Sequence, residues 1–334
     1  MFNNSELCAC VGGKKIQSCC EIKYPSLKKY TNVDLRNCSK FIGWHTARRK
    51  VFEVITAQEI DCRDFTKKKI IIFGAGSCTD MPIDYICDMF SEVVLVDIDA
   101  DRLDKASDNI PSDLRTKVIK VVWDITENDK KMSILVKSRV TNKKCDLVEV
   151  LNEQNIREQE IKIPFEIQTR MPFDYVISDL ILTQIPFSIM RTADKYVVDS
   201  QHIFMDEFVN DLIYQHLELL NNMVIDSGKI IIISDPFMIG STNSDSSPSL
   251  NNLLKEKGKS LLNEANINKE MIFNWLNTYQ VSKGSNVLEF INAFPEMNLK
   301  DISWWWWTYS CEMWFLVVCY IFTKGNITPN SSNK

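Results

Sequence analysis

Short apolar runs alternate along the chain with longer segments of helical spacing, which is the pattern of an α/β fold. Five short runs rich in Ile and Val predict buried parallel strands, whose two faces are both covered by helices. These runs occupy residues 69–73, 93–96, 117–123, 173–180 and 229–234. Apolar residues recur at helical spacing between them, most clearly over residues 207–224. The order predicts a doubly wound, mostly parallel sheet with helices on both faces.

Weaker patterns flank these strands. A helix is predicted from Trp44 to Ile60, where apolar residues recur at helical spacing with Arg and Lys between them. Asp235 and Pro236 are expected to end the fifth strand. The elements predicted beyond it are helices near 249–263 and 268–280 and strands at 287–291 and 313–322.

Residues 304–322 imitate a membrane span, because almost all of them are apolar or aromatic. Glu312, near the middle, would cost at least ~2.5 kcal/mol at the centre of a bilayer. The consecutive Trp304, Trp305, Trp306 and Trp307 instead suit a strand, on which successive side chains face opposite sides. We therefore predict buried strands here and no membrane contact.

The first predicted strand ends in a glycine turn, Gly74-Ala75-Gly76. Glycine permits a positive φ and the close approach of a ligand to bare backbone. The next helix is expected to run to Phe90, capped by Thr79 or Asp80. The second strand ends in Asp97, where a carboxylate can accept hydrogen bonds from both hydroxyls of a ribose. This order predicts the first half of a nucleotide-binding unit.

The turn and the acid resemble the class I S-adenosylmethionine-dependent methyltransferases. Gly74-Ala75-Gly76 is similar to the first motif of that family, and Asp97 is similar to its ribose-binding acid. The third glycine of the dinucleotide fingerprint is Thr79 here, which disfavours NAD and FAD. The resemblance covers roughly residues 44–324. It implies an α/β fold with a doubly wound, mostly parallel, seven-stranded sheet and an antiparallel last strand.

The resemblance also implies S-adenosyl-L-methionine as the cofactor. In that family an acidic or polar residue after the third strand commonly meets the adenine amino group, which points to Asp124. A role as a turn or helix cap is equally open for this residue. The predicted cofactor contacts are Gly74, Ala75, Gly76, Asp80, Asp97, Ile98, Asp124, Ile125 and Ser178.

Catalytic candidates follow the fourth strand, since ligands gather at the carboxyl ends of strands in open α/β sheets. Asp179 lies at that end, beside the first strand. His202, in a loop predicted over residues 182–206, is the general-base candidate because the pKa of histidine lies near neutrality. A surface or packing role stays open for it. The amino-methylating DNA enzymes of the family carry an Asp/Asn-Pro-Pro-aromatic motif here, which residues 178–181 do not match.

The predicted activity is methyl transfer to an unidentified acceptor. We expect a small molecule, because no nucleic-acid module is recognised. The donor carries its own electrophile, so the protein needs only to align donor and acceptor and to exclude water. Two alternatives stay open. One is aminopropyl transfer, as in polyamine synthases, and the other is a non-catalytic Rossmann-like module that binds a partner through its tryptophan-rich stretch.

Charge and length set the domain expectations. The net charge is −5, yet residues 1–68 hold 13 Lys and Arg against 7 Asp and Glu. An irregular basic extension is expected at 1–43, and it leaves nucleic acid open as a partner. The catalytic domain is expected at 44–324, with an insertion at about 139–170 and a disordered tail at 325–334.

The 11 cysteines are scattered through the chain, which suits free thiols in a reducing cytoplasm. Four of them cluster near the start, at Cys8, Cys10, Cys19 and Cys20. Their spacing is not a standard zinc spacing, so no metal site is predicted. The sequence leaves the oligomeric state open.

Overall fold

A single mixed sheet organises the fold. The computed structural model describes residues 38–57, 62–126, 161–185, 202–240, 264–279, 281, 284–308 and 313–325. The strands are β1 (Lys69–Phe73), β2 (Glu92–Asp97), β3 (Val118–Val122), β4 (Phe173–Asp179), β5 (Val224–Gly240), β6 (Met297–Thr308) and β7 (Met313–Lys324). Their order is β3-β2-β1-β4-β5-β7-β6. β1 to β5 pair in parallel, and β7 is antiparallel to both β5 and β6. The sheet thus has the α/β architecture and the antiparallel last strand expected of the class I methyltransferase fold.

Helices cover both faces of this sheet. They are α1 (Cys38–Thr56), α2 (Ile83–Met89), α3 (Ala100–Asp108), α4 (Phe165–Gln168), α5 (His202–Met223), α6 (Lys269–Thr278) and α7 (Leu288–Ile291). β1 shows why two layers are needed, because its side chains alternate between two cores. Ile70 and Ile72 pack with residues of α1, α2 and α3, whereas Ile71 and Phe73 pack with residues of α5 and α6. All four side chains are fully buried, which explains the unbroken apolar run.

The tryptophan-rich stretch forms part of β6, as predicted. Trp304 and Trp306 pack in the core that contains α5, and Trp305 and Trp307 pack in the core that contains α1. Residues 313–324 form β7, which lies between β5 and β6. Among the described residues, no helix is long and apolar enough to cross a bilayer.

Helix bounds differ from the prediction at two places. α2 begins at Ile83 with Pro82 at its N-cap, so neither Thr79 nor Asp80 caps it. The cause is Pro82, because the residue before a proline is disfavoured in the helical region of φ and ψ. α1 spans Cys38–Thr56, earlier at both ends than predicted. Hydrophobic spacing specifies the ends of a helix least well.

Two strand predictions are wrong. Residues 288–291 form the short helix α7, in which Asn286 O accepts from the N–H of Glu289. A run of five apolar-rich residues is too short for its spacing to separate strand from helix. β5 continues past Asp235 and Pro236 to Gly240, with a register irregularity between Ser234 and Phe237. Proline is tolerated in a strand at such an irregularity because it has no N–H to donate.

Several predicted segments lie outside the described residues. They are the helix near 249–263, most of the insertion at 139–170, all but the last residues of the extension at 1–43, and all but the first residue of the tail at 325–334.

Candidate functional site

The two glycines after β1 have different surroundings. Gly74 has a φ of +72°, and a Cβ atom there would lie 2.4 Å from the carbonyl oxygen of Asp179. The turn is therefore packed directly against the end of β4. Gly76 has a φ of +49°, and a Cβ atom there would meet nothing closer than 3.9 Å. The space beside Gly76 is open, so that a ligand can approach the backbone at this point.

Asp97 connects the end of β2 to this turn. Its Oδ2 accepts a 2.7 Å hydrogen bond from the N–H of Gly76, and its Oδ1 accepts a 2.9 Å bond from the N–H of Asp99. An ionised carboxylate has about four acceptor positions, so one remains on each oxygen. Asp97 is only partly buried. The carboxylate thus holds the glycine turn in place and keeps acceptor capacity for two hydroxyls.

An exposed apolar surface continues from this point. Ile98 is 55% exposed and Val122, at the end of β3, is 57% exposed. The N–H of Trp123 donates a 2.9 Å hydrogen bond to the carbonyl oxygen of Asp97, which holds the two strand ends together. Gly76, Asp97 and Ile98 are therefore brought to one edge of the sheet.

The next two residues predicted to contact the cofactor, Asp124 and Ile125, lie in the loop after β3. Oδ1 of Asp124 accepts hydrogen bonds from the N–H and the Oγ1 of Thr126, at 3.0 and 2.7 Å. This geometry fits the turn role that the sequence left open for Asp124. Ile125 is 7% exposed and packs in the core that contains α5.

Ser178 faces the interior of the protein. It is fully buried, and its Oγ lies 2.9 Å from Nε2 of His216 on α5. Its side chain therefore lies on the opposite face of β4 from that of Asp179. His202 does not lie in a loop, because α5 begins at this residue. Ile203 and Phe204 continue the apolar pattern of that helix. The side chain of His202 is outside the described residues.

Carboxylates, of which Asp179 is the most buried, gather near the carboxyl ends of the central strands. Burial, and then the charges of Asp80, Asp235 and Asp97, raise the pKa of Asp179 well above its ordinary value. Burial also raises the pKa of Asp80, and it raises the pKa of Asp235 to about 6. Asp235 was not among the site residues predicted from sequence, where it was expected only to end the fifth strand. Its position at the carboxyl end of a parallel strand is the sequence feature from which it could have been predicted as a site residue.

A narrow cavity lies beside these acids. It contains about 240 Å³ of space free of atoms, including its opening to solvent. Asp80 and Asp179 form its polar side, and Ala47 and Val51 of α1 cover it. Trp305 of β6 lies in another wall. Within the described part of the chain, no three His, Cys, Asp or Glu side chains lie together so as to hold a metal ion.

The buried His216 gives stability a measurable pH dependence. Burial lowers the pKa of His216 from 6.5 to about 3. The unfolded chain therefore binds a proton below pH 6.5 that the folded protein does not bind until about pH 3, so stability falls as the pH falls through this range. At pH 5 the loss from this residue is about 2 kcal/mol. The variant His216→Gln lacks this titration. As the pH falls from 7 to 5, its free energy of unfolding should therefore rise relative to that of the wild type.

Asp235→Asn is the matched control for this titration, with the opposite sign. The folded pKa of Asp235 is raised from 3.8 to about 6, so its contribution to stability is present below pH 3.8 and lost as the pH rises through about 6. The variant should therefore gain stability relative to the wild type as the pH rises from 4 to 7. Denaturant unfolding at several pH values tests both variants. A difference between His216→Gln and the wild type that does not change with pH would contradict the assignment of a neutral, buried His216.

Comparison with known proteins gives a likeness to solved structures only. No family model and no curated protein matches the sequence. The structure is similar to the N-methyltransferase NodS from Bradyrhizobium japonicum WM9 in complex with S-adenosyl-L-homocysteine, with 8% identity, 90% of this chain and 97% of that chain covered, and a TM-score of 0.43. It is also similar to magnesium protoporphyrin IX methyltransferase (ChlM) from Synechocystis PCC 6803, with 8% identity, 91% and 96% covered, and a TM-score of 0.41. These values say nothing of function, and the fold rests on the strand order and pairing described above.

Proposed function

We propose that this protein transfers a methyl group from S-adenosyl-L-methionine to a small-molecule acceptor. The observation that carries the proposal is the contact between Gly76 and Asp97, which joins the first glycine turn to the acid after β2. A ribose fits here because both oxygens of Asp97 keep acceptor capacity and a Cβ atom at Gly76 would meet no protein atom closer than 3.9 Å. Ile98 offers an exposed apolar surface for the adenine ring.

The remaining residues would orient the reactants. When bound, S-adenosyl-L-methionine supplies a sulfonium methyl group that is already electrophilic. Gly74 and Asp179 bring the glycine turn against the end of β4, so the donor would lie next to the cavity beside that end. Arg48 ties α1 to α2 through a 2.7 Å ion pair with Asp84. This pair would hold α1 over the cavity and exclude water from it.

Two further parts of the proposal rest on composition and burial. We place the protein in the cytoplasm, because Cys78, Cys87 and Cys319 are buried free thiols, as a reducing compartment allows. A small acceptor is favoured by the narrowness of the cavity beside Asp179. Aminopropyl transfer would use the same glycine turn and acid, and the mass of the group gained by the acceptor distinguishes it from methyl transfer.

Asp97→Ala tests the ribose assignment. The variant loses two charge-assisted hydrogen bonds to the ribose, each worth about 1.5–3 kcal/mol. Isothermal titration calorimetry with S-adenosylhomocysteine should therefore give an affinity at least ~10-fold lower than that of the wild type.

Asp99→Ala is the matched control. Asp99 caps α3 by accepting a 3.1 Å hydrogen bond from the N–H of Arg102. Its loss should cost about 1 kcal/mol of stability and leave the affinity unchanged. If Asp97→Ala binds S-adenosylhomocysteine normally and only melts earlier, Asp97 is a structural brace and the proposed function loses its main support.

A further inference from the structure

The cavity beside β4 has a polar side made only of acids. Asp80 and Asp179 line it, and the rest of the lining is apolar or aromatic and includes Leu180, Ile233 and Val317. Asp179 is 5% exposed. Within the described residues no hydrogen bond reaches its carboxylate, and the charges closest to it are those of other acids. A buried carboxylate without a partner is costly, and a ligand that brings positive charge removes that cost.

An independent observation also points to a ligand in this cavity. Trp305 lines it and is 1% exposed, and its indole N–H is buried without a hydrogen-bond partner in the described part of the chain. Buried Trp N–H groups usually find an acceptor. Asp80 already has a backbone hydrogen bond and the positive charge of Arg48 nearby. Two polar needs remain unmet, a cation or donor for Asp179 and an acceptor atom for the indole N–H of Trp305.

The position of the cavity relates it to the methyl donor. Asp179 touches the glycine turn through its carbonyl oxygen, and Leu180, which follows it, has a positive φ of 55°. Non-glycine residues seldom adopt a positive φ, so the backbone at this point is held in place by its surroundings. A group bound between Asp80 and Asp179 would lie at the switch point of the sheet, where donor and acceptor meet.

We propose that the methyl acceptor is a small aliphatic amine, held by Asp80 and Asp179 and contacted by Trp305. This inference rests on the proposed function. A metal ion is the less favoured occupant, because no suitable cluster of three ligands exists among the described residues. An ammonium group satisfies two carboxylates at once, and the apolar walls accommodate its alkyl chain.

The reaction balances with these groups alone. The bound ammonium gives one proton to the carboxylate of Asp179, which frees the nitrogen lone pair. That lone pair forms the new N–C bond with the methyl carbon of S-adenosyl-L-methionine while the C–S bond breaks. The electron pair of the C–S bond remains on sulfur, which becomes the neutral thioether of S-adenosylhomocysteine. The raised pKa of Asp179 suits a carboxylate that takes up a proton.

The test compares n-propylamine with 1-propanol, which has the same chain without the cationic nitrogen. Calorimetric titrations are made with the wild type, with and without saturating S-adenosylhomocysteine. The amine should bind at least ~10-fold more tightly than the alcohol. 3-Amino-1-propanol should bind more tightly still, because its hydroxyl oxygen can accept from Trp305. Trp305→Phe keeps the ring and should remove only that second advantage.

Two variants separate this inference from the proposed function. Asp179→Asn should abolish the preference for the amine and keep the affinity for S-adenosylhomocysteine within ~3-fold. Asp226→Asn, at an exposed acid near the start of β5, should change neither. Equal binding of amine and alcohol by the wild type would overturn the inference. Loss of S-adenosylhomocysteine binding in Asp179→Asn would also overturn it, since the acid would then hold the ammonium of the cofactor. A wild type that binds no S-adenosylhomocysteine would instead refute the proposed function.

Discussion

Gly76→Val is expected to abolish the binding of S-adenosylhomocysteine and to leave the protein folded. A side chain at this position would enter the open space beside Asp97, where a Cβ atom meets no protein atom closer than 3.9 Å. The Cβ atom itself therefore meets no clash, and the φ of +49° adds strain of roughly 1–3 kcal/mol. Calorimetry should detect no binding, and a thermal melt should still show a cooperative transition.

Gly74→Ala is the comparison variant, because it separates damage to the fold from loss of ligand binding. A Cβ atom at Gly74 would lie 2.4 Å from the carbonyl oxygen of Asp179, so the turn or β4 must move. This smaller substitution should lower the melting temperature more than Gly76→Val does. Unchanged affinity for S-adenosylhomocysteine in Gly76→Val would show that the ligand does not approach the backbone at this turn.

Trp306→Ala is expected to cost about 3–5 kcal/mol of unfolding free energy, the range for truncation of a large aromatic side chain in a core. Trp306 is 6% exposed and packs among buried residues of the α5 core that include Leu316 and Phe322. Its place in β6 is fixed by pairing with Leu316 of β7. Chemical denaturation of the purified variant measures the loss.

Trp304→Ala is the matched control on the same face of β6. Trp304 is only partly buried against the same core, so its truncation should cost clearly less. Similar losses for the two variants would contradict the deeper burial of Trp306. Recovery of the wild type only from membranes would contradict the interpretation of this stretch as buried strands.

The central strands β1, β2, β4 and β5 were predictable from sequence because they are buried on both faces, whereas β3, at the edge of the sheet, is partly exposed. A strand such as β1 must then be apolar at every position, and no polar alternation obscures it. α7 was not predictable, because residues 287–291 are too few for spacing to decide between helix and strand. The order of the strands in the sheet came from the resemblance, since hydrophobicity alone does not specify which strands pair.

The part of the candidate site that was predictable from sequence is the part whose residues are brought together by the order of the strands alone. Gly76 lies in the turn after β1 and Asp97 ends β2, so their contact follows from parallel pairing of β1 and β2. Ser178 and Asp179 also end a strand, but successive residues point to opposite faces. Which of the two points toward the cavity depends on the pairing of β4 with its neighbours. Ser178 therefore meets His216 in the core, and Asp179 lines the cavity.

The position of β7 between β5 and β6 has a consequence for synthesis on the ribosome. β5 has no partner on one side until residues 313–324 have been made, and β6 has no partner at all. The unpaired edge of β5 includes the fully apolar residues Ile230, Ile231, Ile232 and Ile233. Exposed edges of this kind pair readily with other chains. The nascent protein is therefore at greatest risk of aggregation just before β7 emerges, and slower translation within β7 should lower the soluble yield.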